Sequence, residues 1–197
     1  MIVACDVDGI VCDLHAEWLR RYNRDYDDSL TIEGIHDWSI HKWVKPECWK
    51  RIYDYLLAPD LYESISMVPG ALEGVRRIRA LGHQVLFVSA CTYNMTDQKA
   101  RWLVRHEFCS EGGNALPRDF IAVFNRNHLD AYLLIDDGPH NVRQWVEGKG
   151  KPAIMLERAY NLHLLNEVPS AFWMKCTRVR GWDEIARHVE LLSQVGP

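Results

Sequence analysis

The sequence lacks the features of membrane-spanning, secreted and nucleic-acid-coating proteins. No uncharged apolar run approaches the roughly 20 residues that a membrane-spanning helix needs, and the basic start of a signal peptide is absent. Lys and Arg number 23 against 27 Asp and Glu, and the net charge of −4 has the wrong sign for a protein that coats nucleic acid. We therefore expect a cytoplasmic protein whose partners include neither a membrane nor a nucleic acid polymer.

Cysteine pairs with the spacing of zinc ligands are also missing. The six cysteines are scattered along the chain without a Cys-x-x-Cys pair, so the sequence predicts neither a zinc cluster nor a disulfide framework. We interpret them as reduced thiols in the core. Proline and glycine are sparse as well, at 8 and 12 residues, which argues against a disordered or fibrous chain.

The features that are present predict an α/β fold. With 197 residues, 48% of them apolar, the chain is long enough for one compact domain with a sizeable insert. Helical patterns alternate with five short apolar runs that predict buried strands, and this alternation is typical of a doubly wound parallel sheet of the Rossmann-like type. The predicted strands cover residues 2–5, 85–88, 120–124, 132–135 and 153–156.

The long interval between the first two predicted strands indicates a small helical cap. About 80 residues separate these strands, whereas a crossover connection needs only a few tens. Apolar residues at helical spacing predict two helices there, one with Leu14, Trp18 and Tyr22 on one face and one with Trp49, Ile52, Tyr53 and Leu56. We assign residues 14–66 to the cap, and residues 1–13 and 67–197 to the α/β core domain.

Four carboxylates follow two of the predicted strands. Asp6 and Asp8 come after the first strand, and Asp136 and Asp137 come after the fourth. Ligands bind at the carboxyl ends of parallel strands, and acidic side chains gathered there repel one another unless a cation lies between them. Because hard oxygen ligands suit Mg²⁺, the pattern predicts a magnesium site. The alternative, that each Asp-Gly segment only forms a turn, explains one pair of carboxylates better than two.

Motifs around these carboxylates resemble those of a known superfamily. The segment Asp-Val-Asp-Gly-Ile-Val at residues 6–11 resembles the first motif of the haloacid dehalogenase superfamily of phosphohydrolases, and Leu-Leu-Ile-Asp-Asp at residues 133–137 resembles the last. A further likeness, to the 5'(3')-deoxyribonucleotidase branch, spans nearly the whole chain. It is carried by residues 8–13, 68–71, 99–108, 133–141, 160–161 and 181–185.

The resemblance implies a mechanism for the carboxylates. Asp6 corresponds to the nucleophile that accepts a phosphoryl group and becomes an aspartyl phosphate, a route that divides hydrolysis into two steps. Asp8 corresponds to the general acid and base; dehalogenases lack an acid at this position, so its presence favours a phosphatase. Mg²⁺ would be bound by Asp6, by the backbone carbonyl of Asp8, and by Asp136 or Asp137.

The phosphate group is expected at the end of the second predicted strand. Ser89 stands where the family has a Ser or Thr that hydrogen bonds a phosphate oxygen, and we expect the phosphate between Ser89, Gly9 and Ala90. The branch reads Thr-Ser-Pro here, whereas this chain has Ser-Ala-Cys, so one hydroxyl is absent. Two residues compete as the phosphate cation, Arg126 at the position of a family Lys and Lys99, and we favour Arg126.

Cap residues are expected to bind the rest of the substrate. The nucleotidases carry aromatic residues that sandwich the base where this sequence has Asp37 and Trp38, with Trp43 nearby. Leu14 is at a position that lines the same pocket. A planar base gains roughly 1–3 kcal/mol from stacking, which makes such an aromatic slot a plausible recognition element. Packing in the core is the alternative interpretation of these aromatic residues.

The sequence thus predicts an Mg²⁺-dependent phosphohydrolase of nucleoside monophosphates, with 5'(3')-deoxyribonucleotides as the expected substrates. The nearest alternative is the same chemistry on a sugar phosphate or on a nucleic acid 3' end. The cap is acidic, with 7 Lys and Arg against 10 Asp and Glu in residues 14–66, and this disfavours a polymer. A noncatalytic binding protein on the same fold is another alternative. The oligomeric state stays open, with a homodimer as one option because dimers are common among similar enzymes.

Overall fold

The fold is built on a six-stranded parallel sheet, seen in a computed structural model that describes residues 1–112 and 116–195. The strands are β1 (Ile2–Asp6), β2 (Gln84–Ser89), β3 (Phe120–Ala122), β4 (Leu133–Asp136), β5 (Ala153–Leu156) and β6 (Cys176–Val179). Their order across the sheet is β3-β2-β1-β4-β5-β6, and every neighbouring pair is parallel. The order runs outward from β1 on one side and from β4 on the other, so the predicted doubly wound α/β fold is confirmed.

Helices cover both faces of this sheet. The α-helices of the described residues are α1 (Leu14–Tyr26), α2 (Leu61–Ser64), α3 (Ala71–Ala80), α4 (Tyr93–Arg105), α5 (Pro139–Lys149), α6 (Leu164–Glu167) and α7 (Trp182–Val195). Alternate side chains of β1 enter different apolar clusters, because successive residues of a strand point to opposite faces. Val3 and Cys5 pack with α3, α4 and α7, whereas Ala4 packs on the α5 side.

The sixth strand is the one that the sequence did not predict. β6 has the sequence Cys-Thr-Arg-Val, and its two middle residues are half-buried. An edge strand is covered on one side only, so it does not need a continuous apolar run. The same reasoning applies to β3, the other edge, which ends at Ala122 and leaves Phe124 exposed.

The chain between β1 and α3 provides most of an apolar cluster that is separate from the two on the sheet faces. Besides α1 and α2 it contains three 3₁₀ helices, Ile32–Gly34, Ile40–Lys42 and Trp49–Leu57. The cluster comprises Trp18, Leu19, Tyr22, Ile35, Ile40, Val44, Cys48 and Ile52, and it also includes Tyr160 from the segment after β5. This cluster supports a helical cap on the sheet, while the boundaries at residues 14 and 66 stay a prediction.

The second predicted helix of the cap is a 3₁₀ helix, not an α-helix. Trp49, its first residue, has a φ of 38°, outside the right-handed helical region, so its side chain does not follow the face of the residues after it. In Trp49–Leu57 the side chain of Ile52 is fully buried, whereas Trp49 is 55% exposed. The prediction that Trp49 shares one face with Ile52 is therefore wrong.

Helix α1 begins directly after the loop that follows β1. The side chain of Asp13 accepts a hydrogen bond from the N–H of Ala16 at 3.3 Å, which caps the first turn. Leu14, the first residue of the helix, is therefore held close to the end of β1. The helix ends where Asp27 adopts a left-handed conformation with φ of 47°.

The cysteines match the expectation from the sequence. All six are buried and none is in a disulfide. Among the helices of residues 1–112 and 116–195, none is both long and apolar enough to cross a membrane.

Candidate active site

Three carboxylates meet at the carboxyl ends of β1 and β4. Asp6 is the last residue of β1 and Asp136 the last of β4, and Asp137 follows directly. The two strands are neighbours at the point where the strand order reverses, which is where open parallel sheets bind ligands. One oxygen from each of the three carboxylates lies within 4.8 Å of the others, and all three residues are buried. The structure thus brings together three of the four carboxylates that the sequence placed at a metal site.

Burial and mutual repulsion disfavour negative charge in this group. Burial is the larger cause that raises the pKa of Asp6 well above its ordinary value, and repulsion by Asp136 adds to it. Burial also raises the pKa of Asp136. The pKa of Asp137 is raised to about 7, first by burial and then by Asp136. A cation among the three would offset both effects.

Arg126 is the cation that the chain itself supplies to this group. Its Nη2 donates to Oδ1 of Asp6 at 2.5 Å, and its Nε lies 3.6 Å from Oδ2 of Asp136. The side chain is 1% exposed, and Nη1 donates to the carbonyl of Val123. Among the described residues, this guanidinium is the one cation that forms ion pairs with any of the three carboxylates, so their full ionisation would leave an excess of negative charge.

Gly9 allows the Asp137 carboxylate to approach the loop after β1. A Cβ at residue 9 would lie 2.0 Å from Oδ2 of Asp137, and Gly9 has a φ of +78°. Both observations exclude a larger residue there. The glycine of the first motif is therefore explained by the close approach of Asp137, in addition to the phosphate role that the sequence suggested.

Asp8 lies in different surroundings from Asp6. Its Oδ2 accepts hydrogen bonds from Nζ of Lys99 at 2.5 Å and from Oγ of Ser89 at 3.4 Å. Its Oδ1 accepts from the hydroxyl of Tyr62 at 2.5 Å and from the thiol of Cys12 at 3.3 Å. Both carboxylate oxygens are thus satisfied by donors.

These donors outweigh the effect of burial on the pKa of Asp8. Burial alone would raise its pKa, but the charge and hydrogen bond of Lys99, with hydrogen bonds from Tyr62 and Cys12, hold the pKa below its ordinary value. Lys99 is fully buried, and burial by itself lowers the pKa of its ammonium group. The charge and hydrogen bond of the Asp8 carboxylate outweigh burial, so the pKa of Lys99 is raised above its ordinary value. Asp8 is therefore ionised in the free protein.

A cavity of about 240 Å³ opens above the carboxylates. Asp6, Asp8, Asp136, Asp137, Ser89, Ala90 and Arg126 line its floor, and Leu14, Asp37 and Trp38 line its wall. Most of the site residues named from the sequence therefore converge. Lys99 lies behind Asp8 and Ser89, with its Nζ 2.6 Å from Oγ of Ser89.

Trp43 is not brought into this cavity. It contacts the ring of His36, with the ring centroids 5.4 Å apart, and is 37% exposed. The 3₁₀ turn Ile40–Lys42 directs Ile40 into the cavity instead. The charged partner of Asp37 is Lys42, at 2.6 Å, so the Asp37 carboxylate is already paired in the free protein.

The site also contains residues that the sequence did not single out for a role there. Tyr62 and Tyr160 donate hydrogen bonds to Asp8 and Asp137, respectively. His15 lies against Tyr160, with ring centroids 5.2 Å apart, and His140 lies 4.8 Å from Trp38. For Tyr160, the sequence signal was the likeness of residues 160–161 to the nucleotidase branch. No spacing rule connects Tyr62, His15 or His140 to carboxylates on strands that are distant in sequence.

Two solved structures with a similar fold are described as a hydrolase and as a predicted phosphatase. A haloacid dehalogenase family hydrolase from Deinococcus radiodurans R1 superposes with a TM-score of 0.60 at 13% identity, covering 98% of this chain and 97% of its own. A predicted phosphatase from Clostridium acetobutylicum superposes with a TM-score of 0.61 at 13% identity, covering 97% of this chain and 98% of its own. The chain therefore has the fold of the haloacid dehalogenase-type hydrolases.

Sequence comparison narrows this class to one family. The family described as "5' nucleotidase, deoxy (Pyrimidine), cytosolic type C protein" matches residues 1–190. The 5'(3')-deoxyribonucleotidase of Clostridium acetobutylicum is 30% identical over 145 residues, covering 73% of this chain and 77% of the relative. The human 5'(3')-deoxyribonucleotidase, cytosolic type, is 24% identical over 174 residues, 83% of each chain. The chain belongs to this family, and with it to the phosphoric monoester hydrolases of the 5'-nucleotidase type.

Proposed function

We propose that the protein is an Mg²⁺-dependent nucleotidase that removes phosphate from 5'(3')-deoxyribonucleotides through an aspartyl phosphate on Asp6. The observation that carries this proposal is the convergence of Asp6, Asp136 and Asp137 on the floor of a cavity whose wall is largely apolar and aromatic. The relatives in Clostridium acetobutylicum and human are 5'(3')-deoxyribonucleotidases, which supports the substrate class.

The carboxylates fit a divalent cation. One oxygen of each carboxylate accepts a hydrogen bond: Asp6 from Arg126, Asp136 from the N–H of Gly138 and from Asn141, and Asp137 from Tyr160. The other oxygen of Asp136, Oδ2, is buried without a hydrogen-bond partner among the described residues. Mg²⁺ would be bound by the three carboxylates and by the backbone carbonyl of Asp8. When bound, it supplies positive charge for the phosphoryl oxygens and for the carboxylates.

In the first step, a carboxylate oxygen of Asp6 forms a bond to phosphorus and the ester P–O bond breaks. The leaving alcohol oxygen takes a proton from Asp8, so Asp8 must be protonated at this point. The negative charge of the arriving phosphoester raises the pKa of Asp8 and favours its acid form. The side chains of Asp6 and Asp8 both line the cavity floor, which supports this division of roles.

In the second step, water hydrolyses the aspartyl phosphate. The Asp8 carboxylate takes a proton from the water, the water oxygen forms a bond to phosphorus, and the bond between Asp6 and phosphorus breaks. Lys99, Tyr62 and Cys12 stabilise the ionised form of Asp8 that this step requires. Inorganic phosphate is released, and the free carboxylate of Asp6 is restored.

We assign the phosphate cation to Arg126 and the support of Asp8 to Lys99. Arg126 lines the cavity together with Ser89 and Ala90, and its Nε has no hydrogen-bond partner among the described residues. Donors in a planar guanidinium suit a phosphate group. Lys99 is committed to Asp8 and Ser89 in the free protein.

The base is proposed to lie against Trp38. This side chain is 44% exposed, a fraction that leaves ring surface for a ligand, and its ring meets those of Tyr160 and His140 edge to face. Leu14 and Asp37 complete the slot as the sequence suggested. Trp43 has no part in it.

The test is a panel of phosphomonoesters assayed with Mg²⁺ and with chelator. It includes 5' and 3' pyrimidine and purine deoxynucleotides, the matching ribonucleotides, sugar phosphates and a DNA with a 3' phosphate. We expect hydrolysis of deoxynucleotides that chelator abolishes and Mg²⁺ restores. Preference for a sugar phosphate or the DNA end, or activity that chelator leaves unchanged, contradicts the proposal.

The cellular setting and the domain division are part of the proposal. The human relative is named as a cytosolic type, and unpaired buried thiols suit a reducing compartment, so we propose a cytoplasmic location. We also propose that residues 14–66 act as the cap and that residues 1–13 with 67–197 form the core. A homodimer stays a prediction, which light scattering of the purified protein tests.

A further inference from the structure

We propose that Tyr160 is a positioning residue that holds the Asp137 carboxylate in the orientation needed to bind Mg²⁺ rather than Ca²⁺. The inference rests on the proposed function, because it concerns the same metal site. Tyr160 belongs to the 3₁₀ turn Ala159–Asn161 after β5, and its hydroxyl donates to Oδ2 of Asp137. It is 2% exposed, so this hydroxyl needs a partner within the protein.

The backbone of Asp137 is fixed by the residue next to Tyr160. Nδ2 of Asn161 donates to the carbonyl oxygen of Asp137 at 2.9 Å and to that of Leu156 at 2.8 Å. Oδ1 of Asn161 accepts from the N–H of Arg158 at 3.0 Å. Asn161 thereby joins the end of β5 to the residue that follows β4. The remaining freedom of Asp137 is rotation of its side chain, which the hydroxyl of Tyr160 restrains.

The same turn also holds the loop after β1. Nη2 of Arg158 donates to the carbonyl oxygen of Gly9 at 3.0 Å. Gly9 is the residue against which the Asp137 carboxylate lies. Residues 158–161 therefore contact both strand-end loops of the metal site, although none of them belongs to the group of acids.

The ring of Tyr160 is held from the cap side. It lies against His15, with centroids 5.2 Å apart, and edge to face against Trp38 at 5.4 Å. It also belongs to the apolar cluster of the cap. A ring packed in this way leaves its hydroxyl little freedom, so the hydrogen bond to Asp137 has a defined direction.

Orientation of one carboxylate matters more for Mg²⁺ than for Ca²⁺. Mg²⁺ demands near-ideal octahedral geometry, whereas Ca²⁺ accepts more ligands in flexible arrangements. Outer residues that orient metal ligands change metal affinity by about 10–100-fold when they are mutated. Loss of the Tyr160 hydroxyl should therefore weaken Mg²⁺ binding by about tenfold or more and Ca²⁺ binding by less, which lowers the Mg²⁺/Ca²⁺ preference.

The experiment measures binding of each ion alone to the full chain by isothermal titration calorimetry. The variant is Tyr160→Phe, which keeps the ring and its packing. The matched control is Tyr55→Phe, which removes a hydroxyl that donates to Asp25 at 2.8 Å on the cap surface. Circular dichroism checks the fold, and Tyr160→Met, an adaptable apolar side chain without a donor, replaces Tyr160→Phe if that variant does not fold.

Each outcome decides a different point. A selective loss of Mg²⁺ affinity in Tyr160→Phe, with Tyr55→Phe unchanged, supports the inference. Unchanged affinity, or equal loss for both ions, overturns the positioning role of Tyr160 and leaves the proposed nucleotidase intact. If the unmodified protein binds no Mg²⁺ at millimolar concentration, the Mg²⁺ dependence in the proposed function fails, and the inference fails with it.

Discussion

Asp6 and Asp8 lie two residues apart at the end of one strand, yet their surroundings are opposite in charge. Asp6 belongs to a region with three carboxylates and one guanidinium, where burial and repulsion raise its pKa. Asp8 belongs to a region with one carboxylate and several donors, where Lys99 and Tyr62 lower its pKa. The first region needs a further cation, whereas the second is compensated by the chain itself.

The contrast suits the two different tasks that we propose for Asp6 and Asp8. A carboxylate that shares a cation with its neighbours is placed to act as a nucleophile toward a phosphoryl group. A carboxylate held by donors that respond to its charge is placed to lose and regain a proton. The donors of Asp8 come partly from α2, through Tyr62, so the chain between β1 and β2 contributes to the chemistry as well as to the cavity wall.

The strongest way to break the comparison is to neutralise Asp6. Asp6→Asn removes the proposed nucleophile, and we expect kcat to fall by about 10⁴-fold or more, as for other nucleophiles. Steady-state assays of deoxynucleotide hydrolysis measure the loss. The control Asp183→Asn changes a side chain that is 95% exposed and should retain full activity. An Asp6→Asn protein that hydrolyses substrate at the original rate would remove Asp6 from the mechanism.

Lys99→Met tests the compensation of Asp8. It leaves a largely buried carboxylate without its charged partner, so we expect the free energy of unfolding to fall by about 3–5 kcal/mol and kcat by about 10²-fold. Chemical denaturation and activity assays measure both. The control is Lys151→Met, whose ammonium donates to the backbone carbonyl of Ala131 at 2.6 Å away from the site. Equal stability of Lys99→Met and the unmodified protein would contradict the charge pairing.

Tyr62→Phe sharpens the comparison by removing one neutral donor from Asp8. A hydrogen bond to a charged group contributes about 1.5–3 kcal/mol, so we expect kcat to fall about tenfold while Mg²⁺ affinity is unchanged. For Tyr160→Phe we expect the opposite, a larger change in Mg²⁺ affinity than in kcat. If both tyrosine variants change the same quantity, the two regions do not act separately.

The prediction furthest from the catalytic step concerns the stability of the fold and His15, which lies on the cavity wall and contacts neither group of acids. Its pKa is lowered to about 4, chiefly by burial; Arg158 adds to the lowering, whereas Asp8 and Asp13 oppose it. Its unfolded pKa is near 6.5, so the unfolded chain binds the proton first, and stability is lost as the pH falls from about 6.5 to 4.

Replacement by His15→Gln should remove this dependence. Because His15 is only half-buried, we expect it to account for about 2 kcal/mol between these limits. The check is thermal melting of both proteins in chelator from pH 7.5 to 4.5. Parallel melting curves against pH for the two proteins would show that His15 is protonated as easily in the folded state as in the unfolded one.

The sequence located the parts of the site that follow from strand order. Asp6 and Asp136 each end an apolar run, and parallel strands bring their ends to one edge, so their approach was predictable. Strand β6 was missed because Thr177 and Arg178 interrupt its apolar character at a half-covered edge. An edge strand needs no continuous apolar run, so the apolar pattern of the sequence does not reveal it.

The residues that donate hydrogen bonds to the carboxylates could not be predicted from sequence patterns. Tyr62 and Tyr160 lie 54 and 23 residues from the acids that they contact, and their meeting depends on how the cap and the turn after β5 pack. The misplacement of Trp43 has the same origin. A 3₁₀ turn at Ile40–Lys42 decides which side chain faces the cavity. An element of three residues is too short to produce a periodic apolar pattern in the sequence.

The most direct test of the account is a crystal structure of the protein with Mg²⁺ and beryllium fluoride, a mimic of a phosphoryl group. The account predicts beryllium bonded to a carboxylate oxygen of Asp6, with the metal between Asp6, Asp136 and Asp137, and the Asp8 side chain beside the fluorides. Beryllium fluoride bonded to another residue, or a metal bound away from these three carboxylates, would contradict it.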